Sequence, residues 1–140
     1  MQNNIIYNKH LIPDYMPELK IKQLQYESNT WKRLLGFMMD ENVHLKNRVS
    51  EVLKNGFDKG LLEEMESFHS RFIKEDDLIG LLRNEVAELD KLLVREIFED
   101  GQLVKEIDTK LKKLHKNIIT AERQLNELKL EFNNYLSENI

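Results

Sequence analysis

The sequence predicts an all-α protein, and three observations carry that prediction. Apolar residues recur at alternating spacings of three and four along three long segments, the heptad pattern of helices that pack almost parallel or antiparallel. The 140 residues include only five Gly and two Pro, fewer than the turns of an all-β domain need. Asn55-Gly56 and Asp100-Gly101, both typical turn pairs, separate the three segments. Because connections this short make neighbouring helices antiparallel, we expect an up-down-up bundle of three long coiled-coil-like helices.

The first helix is expected over about residues 18–54, because Pro17 suits a helix start and the heptad pattern follows it. Residues 1–16 are expected to form an extended N-terminal tether, and residues 17–140 a single bundle domain. The apolar stripe of this helix contains one strongly polar residue, Asn42, at a core position.

The second helix is expected over about residues 58–98, with Asp58 as its N-cap and Gly56 as the left-handed residue that ends the first helix. Its stripe is interrupted by Glu75. A break near residue 76 would give four helices, but the heptad phase continues unchanged across this point. We therefore expect one continuous helix. The third helix is expected over about residues 102–138.

Asn42 and Glu75 are polar residues at predicted core positions. In coiled coils such residues fix register and partner choice at some cost in stability, and we expect that role for both. A buried catalytic carboxylate at Glu75 is the alternative.

Composition narrows the function classes. The chain has no Cys, which excludes disulfides, thiolate metal sites and cysteine nucleophiles. No apolar run approaches the roughly 18 residues of a membrane helix, and no signal peptide is visible, so a cytoplasmic protein is expected. The net charge of −4 points to neither nucleic acid nor an acidic membrane. The charge is unevenly distributed, since the second helix is strongly acidic and its two neighbours are mildly basic.

A repeated Glu-x-x-His motif is the sharpest candidate for chemistry. Glu41 and His44 form one pair, and Glu66 and His69 form the other. Di-iron carboxylate bundles use two such pairs together with further Glu residues, and the antiparallel register places both motifs at one level. However, the motifs lie on opposite flanks of the helix–helix contact. We therefore expect no cofactor, and a site for iron, zinc or manganese is the alternative.

Several apolar residues lie off the stripes, and Phe37, Met39 and Ile73 are the hardest to place in the core. They are candidates for an interaction surface, covered either by a second copy or by the N-terminal tether. A further candidate is a basic patch on the third helix that could contact phosphates or an acidic partner. It consists of Lys110, Lys112, Lys113 and Lys116. No aromatic residue is interleaved with these lysines, so nucleic-acid binding is not expected.

No nucleophile motif or phosphate-binding loop is present, and no catalytic residue is expected. Long helices offer an extended surface rather than the concave pocket of an enzyme. The sequence therefore predicts a non-enzymatic helical interaction or scaffold protein that binds itself or a helical partner. The alternative is the metal-binding bundle built on Glu41, His44, Glu66 and His69.

Overall fold

The computed structural model describes residues 17–99 and 101–140 of the chain. This part contains three helices: α1 (Glu18–Lys54), α2 (Lys59–Glu99) and α3 (Val104–Asn139). The predicted all-α three-helix bundle is confirmed, and the predicted bounds are within two residues of those observed. The expected tether, residues 1–16, lies outside the described residues.

Helix α2 runs without a break through Glu75 and its acidic neighbours, as the unchanged heptad phase predicts. It spans about 60 Å at 1.5 Å per residue. α1 packs most extensively against α2, and α3 packs mainly against α2 and less extensively against α1. None of these three helices contains an apolar stretch that would suffice to cross a membrane.

The first connection has the predicted turn chemistry. Gly56 adopts φ of 92°, in the left-handed region that favours Gly. Asp58 Oδ1 accepts a hydrogen bond from the backbone N–H of Leu61 at 2.7 Å, so Asp58 caps α2 as expected.

The second connection is held by a residue that the heptad pattern alone does not explain. Gly101 also adopts φ of 92°. The side chain of Glu96, only 2% exposed, accepts hydrogen bonds from the N–H groups of Gly101 at 2.7 Å and Leu103 at 3.2 Å. One buried carboxylate thus satisfies two backbone donors where the chain reverses direction.

The core runs through the whole bundle and is built from the predicted stripes. Near the start of α2 and the end of α3 it is aromatic. The ring centroid of Phe132 lies 5.0 Å from that of Phe68 and 5.2 Å from that of Phe72, and both ring pairs are edge to face. Tyr135 lies 5.8 Å from Phe68. Each such pair contributes about 0.5–1.5 kcal/mol of stability in addition to the contribution of the apolar area that it buries. This cluster therefore stabilises the contact between α3 and α2.

Candidate interaction surface

The heptad assignment defines where α1 and α2 meet. The buried residues Asn42 and Phe72 are both at a positions. The e positions of α1 are then occupied by Lys32, Met39 and Lys46, and those of α2 by Asp76, Arg83 and Asp90. These e positions contact one another. Lys32 pairs with Asp90, Lys46 pairs with Asp76, and Arg83 Nη1 lies 3.3 Å from Met39 Sδ.

Helix α3 lies on the opposite side of this helix pair. Glu41 of α1 pairs with Lys129 of α3 at 2.5 Å, and Arg71 of α2 pairs with Glu131 of α3. Glu41 and Arg71 are both at g positions, so the g flanks face α3 and the e flanks face away from it. We call the surface formed by the e and b positions of α1 and α2 the outer face.

The b positions of the outer face are uncharged along its centre. In a chain with 33% charged residues, four successive b positions on each of these two helices carry no charge. They are Asn29, Gly36, Val43 and Ser50 on α1, and Ile73, Gly80, Ala87 and Val94 on α2. Solvated surface positions of long helices are usually the most charged, so this absence of charge marks the surface as unusual.

The middle of the outer face is open as well as uncharged. A Cβ atom placed on Gly36 or on Gly80 would meet nothing within 4 Å. Asn42 of α1 contacts both Phe72 and Asp76 of α2, and this antiparallel register places Gly36 close to the level of Gly80. Val43 and Ile73, at 43% and 40% exposure, occupy the b positions one heptad further along each helix. Because Gly has no side chain, another helix can approach the backbone closely here.

Two polar clusters link α1 to α2 beneath this face. In the first, the buried Asn42 donates from Nδ2 to the carbonyl of Phe72 at 2.7 Å and to Asp76 Oδ1 at 2.5 Å, and Lys46 completes the cluster. In the second, the Ser28 hydroxyl donates to Asp90, which also pairs with Lys32.

The two clusters are two heptads apart on both helices, from Ser28 to Asn42 and from Asp90 to Asp76. The heptad pattern predicts the buried position of Asn42, but it gives no role to Ser28, Asp76 or Asp90. Their signal in the sequence is the matching spacing. Small polar residues at a positions of one helix are repeated at the same interval as aspartates at e positions of the next.

The predicted interaction residues do not share one surface. Ile73 lies on the outer face, and Met39 is half-buried at its floor, packed against the core. Phe37 is 67% exposed but occupies a c position, which is about 100° further around α1 than the neighbouring b position. Phe37 therefore points away from the surface that Met39 and Ile73 define.

Glu75 is half-buried rather than a fully buried core residue. Its Oε2 atom is buried without a hydrogen-bond partner among the described residues, and burial raises the pKa of the carboxyl group. The residue lines a shallow groove of about 460 Å³ between α2 and α3. The same groove contains Arg71 and Glu131, which already pair with each other.

The two Glu-x-x-His pairs are not brought together. Glu41 faces α3 and pairs with Lys129, whereas Glu66 and His69 are exposed at b and e positions on the outer face. His44 is exposed at a c position. Within residues 17–99 and 101–140, no three His, Asp or Glu side chains converge to hold an ion. The metal alternative therefore has no ligand set in this part of the chain.

Three of the four lysines in the basic patch of α3 are exposed to solvent, and Lys110 is half-buried. Lys112 pairs with Asp108 at 3.0 Å on the same helix, and Lys113 and Lys116 are exposed. The lysines belong to a helix whose other face contacts the acidic α2, which fits the uneven charge of the sequence.

The sequence matches no protein-family profile, and it has no significant match among curated proteins or solved structures.

Proposed function

We propose that this chain is a non-enzymatic helical interaction protein, which binds a second copy of itself or another helical protein through its outer face. The observation that carries the proposal is the pair of runs of four uncharged b positions, one on α1 and one on α2, each of which contains a glycine with open space around it. These b positions take no part in the polar clusters that link α1 to α2. The outer face has the small residues and the neutral centre that a packed helix requires.

The electrostatics of the outer face support the same proposal. Lys32 and Lys46 are paired with Asp90 and Asp76 within the chain. A partner therefore covers charges that are already neutralised, and the desolvation cost is lower than for isolated ions. The cytoplasmic location stays a prediction from the sequence.

The experiment compares the wild-type chain with two variants. The double variant Val43→Asp/Ile73→Asp places two carboxylates on the outer face, and Ile119→Asp places one on the outward side of α3, where Ile119 is 49% exposed. Each protein is used to isolate partners from the native source, and the bound proteins are quantified by mass spectrometry. Sedimentation of each purified protein measures its self-association.

We expect the wild type and Ile119→Asp to bind the same stoichiometric partner, or to self-associate, and the double variant to lose that binding. Thermal unfolding followed by circular dichroism checks that all three proteins are folded. A wild-type chain that is monomeric and retains no stoichiometric partner would refute the proposed function.

A further inference from the structure

We infer that the outer face is covered by the outer face of a second copy, in a symmetric dimer whose two-fold axis runs parallel to the helices. In this arrangement α1 of each copy lies across α2 of the other. The inference rests on the proposed function and deepens it, because it names the partner and the geometry of the contact.

The charges of the outer face select this partner. At the e and b positions between residues 22 and 50, α1 carries three charges, all positive: Lys22, Lys32 and Lys46. The corresponding positions of α2 carry Glu66, Asp76 and Asp90, with Arg83 as the one positive charge. One half of the face is basic and the other half is mainly acidic, which makes the face complementary to itself.

The same charges select the direction of the symmetry axis. The charged groups of Lys32 and Asp90 meet at one height within one chain, and so do those of Lys46 and Asp76. An axis parallel to the helices keeps these heights, so each lysine of α1, already paired within its own chain, meets an aspartate of the partner's α2 as well. An axis across the helices would instead place α1 over the partner's α1, bringing lysine rows together, and like charges in contact cost several kcal/mol.

Shape agrees with this arrangement. Gly36 and Gly80 share a level, so the parallel axis places each Gly36 over Gly80 of the other copy. Val43 and Ile73 also share a level and come into apolar contact in the same way. The two backbones can therefore approach closely at the centre, with an apolar contact one heptad away.

The area is sufficient for a stable dimer. From residue 22 to residue 50 the face is about 42 Å long at 1.5 Å per residue. Two helices with axes 8–10 Å apart give a width of roughly 18 Å. The product, roughly 750 Å² per copy, is close to the about 800 Å² per partner of a standard specific interface.

The test uses the absence of cysteine, which makes any introduced thiol the only one in the chain. Gly36→Cys and Gly80→Cys are made in 140-residue chains that carry tags of different size. Both positions are helical and open, so the new side chains fit. The two variants are oxidised alone and as a mixture, and the disulfide-linked species are resolved by electrophoresis. Leu130→Cys, on the outward side of α3 and 62% exposed, measures random collision.

The proposed dimer predicts that the mixed pair, position 36 of one copy with position 80 of the other, cross-links at least about tenfold faster than Leu130→Cys. A tenfold ratio corresponds to about 1.4 kcal/mol of preferred encounter. Each variant alone should cross-link slowly, because identical positions lie on opposite sides of the axis. Adding Val43→Asp/Ile73→Asp to both chains should remove the preference.

Two results would overturn the inference. Cross-linking of the mixed pair at the Leu130→Cys rate would show that the outer faces do not meet. Faster cross-linking of Gly36→Cys with itself would show an axis across the helices. If the chain is monomeric but retains a different helical protein that the double variant loses, the dimer is refuted and the proposed function stands.

Discussion

Replacing Asp76 by Ala tests the claim that the polar clusters hold α1 and α2 together. Asp76 accepts a hydrogen bond from the buried Asn42 amide and pairs with Lys46. The neighbouring residue Asp77 is exposed on the same helix. Asp77→Ala is therefore a matched control, since it makes the same chemical change one position away.

The size of the effect follows from the contacts that are lost. The Asn42 amide loses its hydrogen bond to a charged acceptor, and such a bond contributes about 1.5–3 kcal/mol. The amide keeps its second hydrogen bond, to the Phe72 carbonyl. The Lys46 pair, with both side chains 24% exposed, is worth at most about 1 kcal/mol. Ala improves helix propensity by roughly 0.5 kcal/mol at either position. We expect Asp76→Ala to lower the free energy of unfolding by about 2 kcal/mol and Asp77→Ala to raise it by at most about 0.5 kcal/mol.

Urea unfolding followed by far-UV circular dichroism measures both variants, with the m-value checked for constancy. A double-mutant cycle with Asn42→Ala then isolates the Asn42–Asp76 contact, for which we expect a coupling of about 1 kcal/mol. Equal effects of Asp76→Ala and Asp77→Ala, or no coupling in the cycle, would refute the role assigned to the cluster.

Four further outcomes are expected. Glu96→Ala should lower the free energy of unfolding by about 2–3 kcal/mol in urea unfolding, because two backbone N–H groups lose their acceptor. Gly56→Ala should lower it by about 1–2 kcal/mol in the same assay, since φ of 92° strains a residue with a Cβ atom. Burial raises the pKa of Glu75, so the folded state holds this proton more tightly than the unfolded state. Its contribution to stability is therefore lost as pH rises from the ordinary value near 4.5 through the raised pKa, and Glu75→Gln should remove that loss in melts across this range. Chelation of metal, or addition of zinc, iron or manganese, should leave the melting temperature unchanged, because the two Glu-x-x-His pairs lie apart; a large increase on addition would contradict this.

The fold could be predicted from the sequence because its signals are local and agree with one another. The spacing of apolar residues sets the three helices, and Gly56 and Gly101 adopt the conformations that their turns require. The continuity of α2 through Glu75 was predictable for the same reason, since a heptad phase is a property of the chain itself.

The polar contacts between helices were only partly predictable, because they depend on which residues of different helices reach the same level. Asn42 is recognisable as a polar residue on an apolar stripe. Asp76 and Asp90 look like ordinary surface acids until the register of α1 against α2 is known. Glu96 continues the α2 stripe three residues after Leu93, immediately before the Asp-Gly turn, and that position is the signal that identifies a capping carboxylate.

The outer face was predicted least well, for a geometric reason. Exposed apolar residues identify candidates one at a time. The sequence therefore groups Phe37 with Met39 and Ile73, although the side chain of Phe37 points away from the outer face. The face is defined instead by what its b positions lack, namely charge and, at Gly36 and Gly80, a side chain. That pattern becomes visible only when both helices are placed side by side.

Sedimentation equilibrium of the untagged 140-residue chain, at rising concentration, tests the outer-face dimer most directly. The dimer predicts a mass that rises from 16.7 kDa toward twice that value for the wild type and for Ile119→Asp, but stays at 16.7 kDa for Val43→Asp/Ile73→Asp. A wild-type mass that stays at 16.7 kDa throughout, or a double variant that dimerises as well as the wild type, would contradict it.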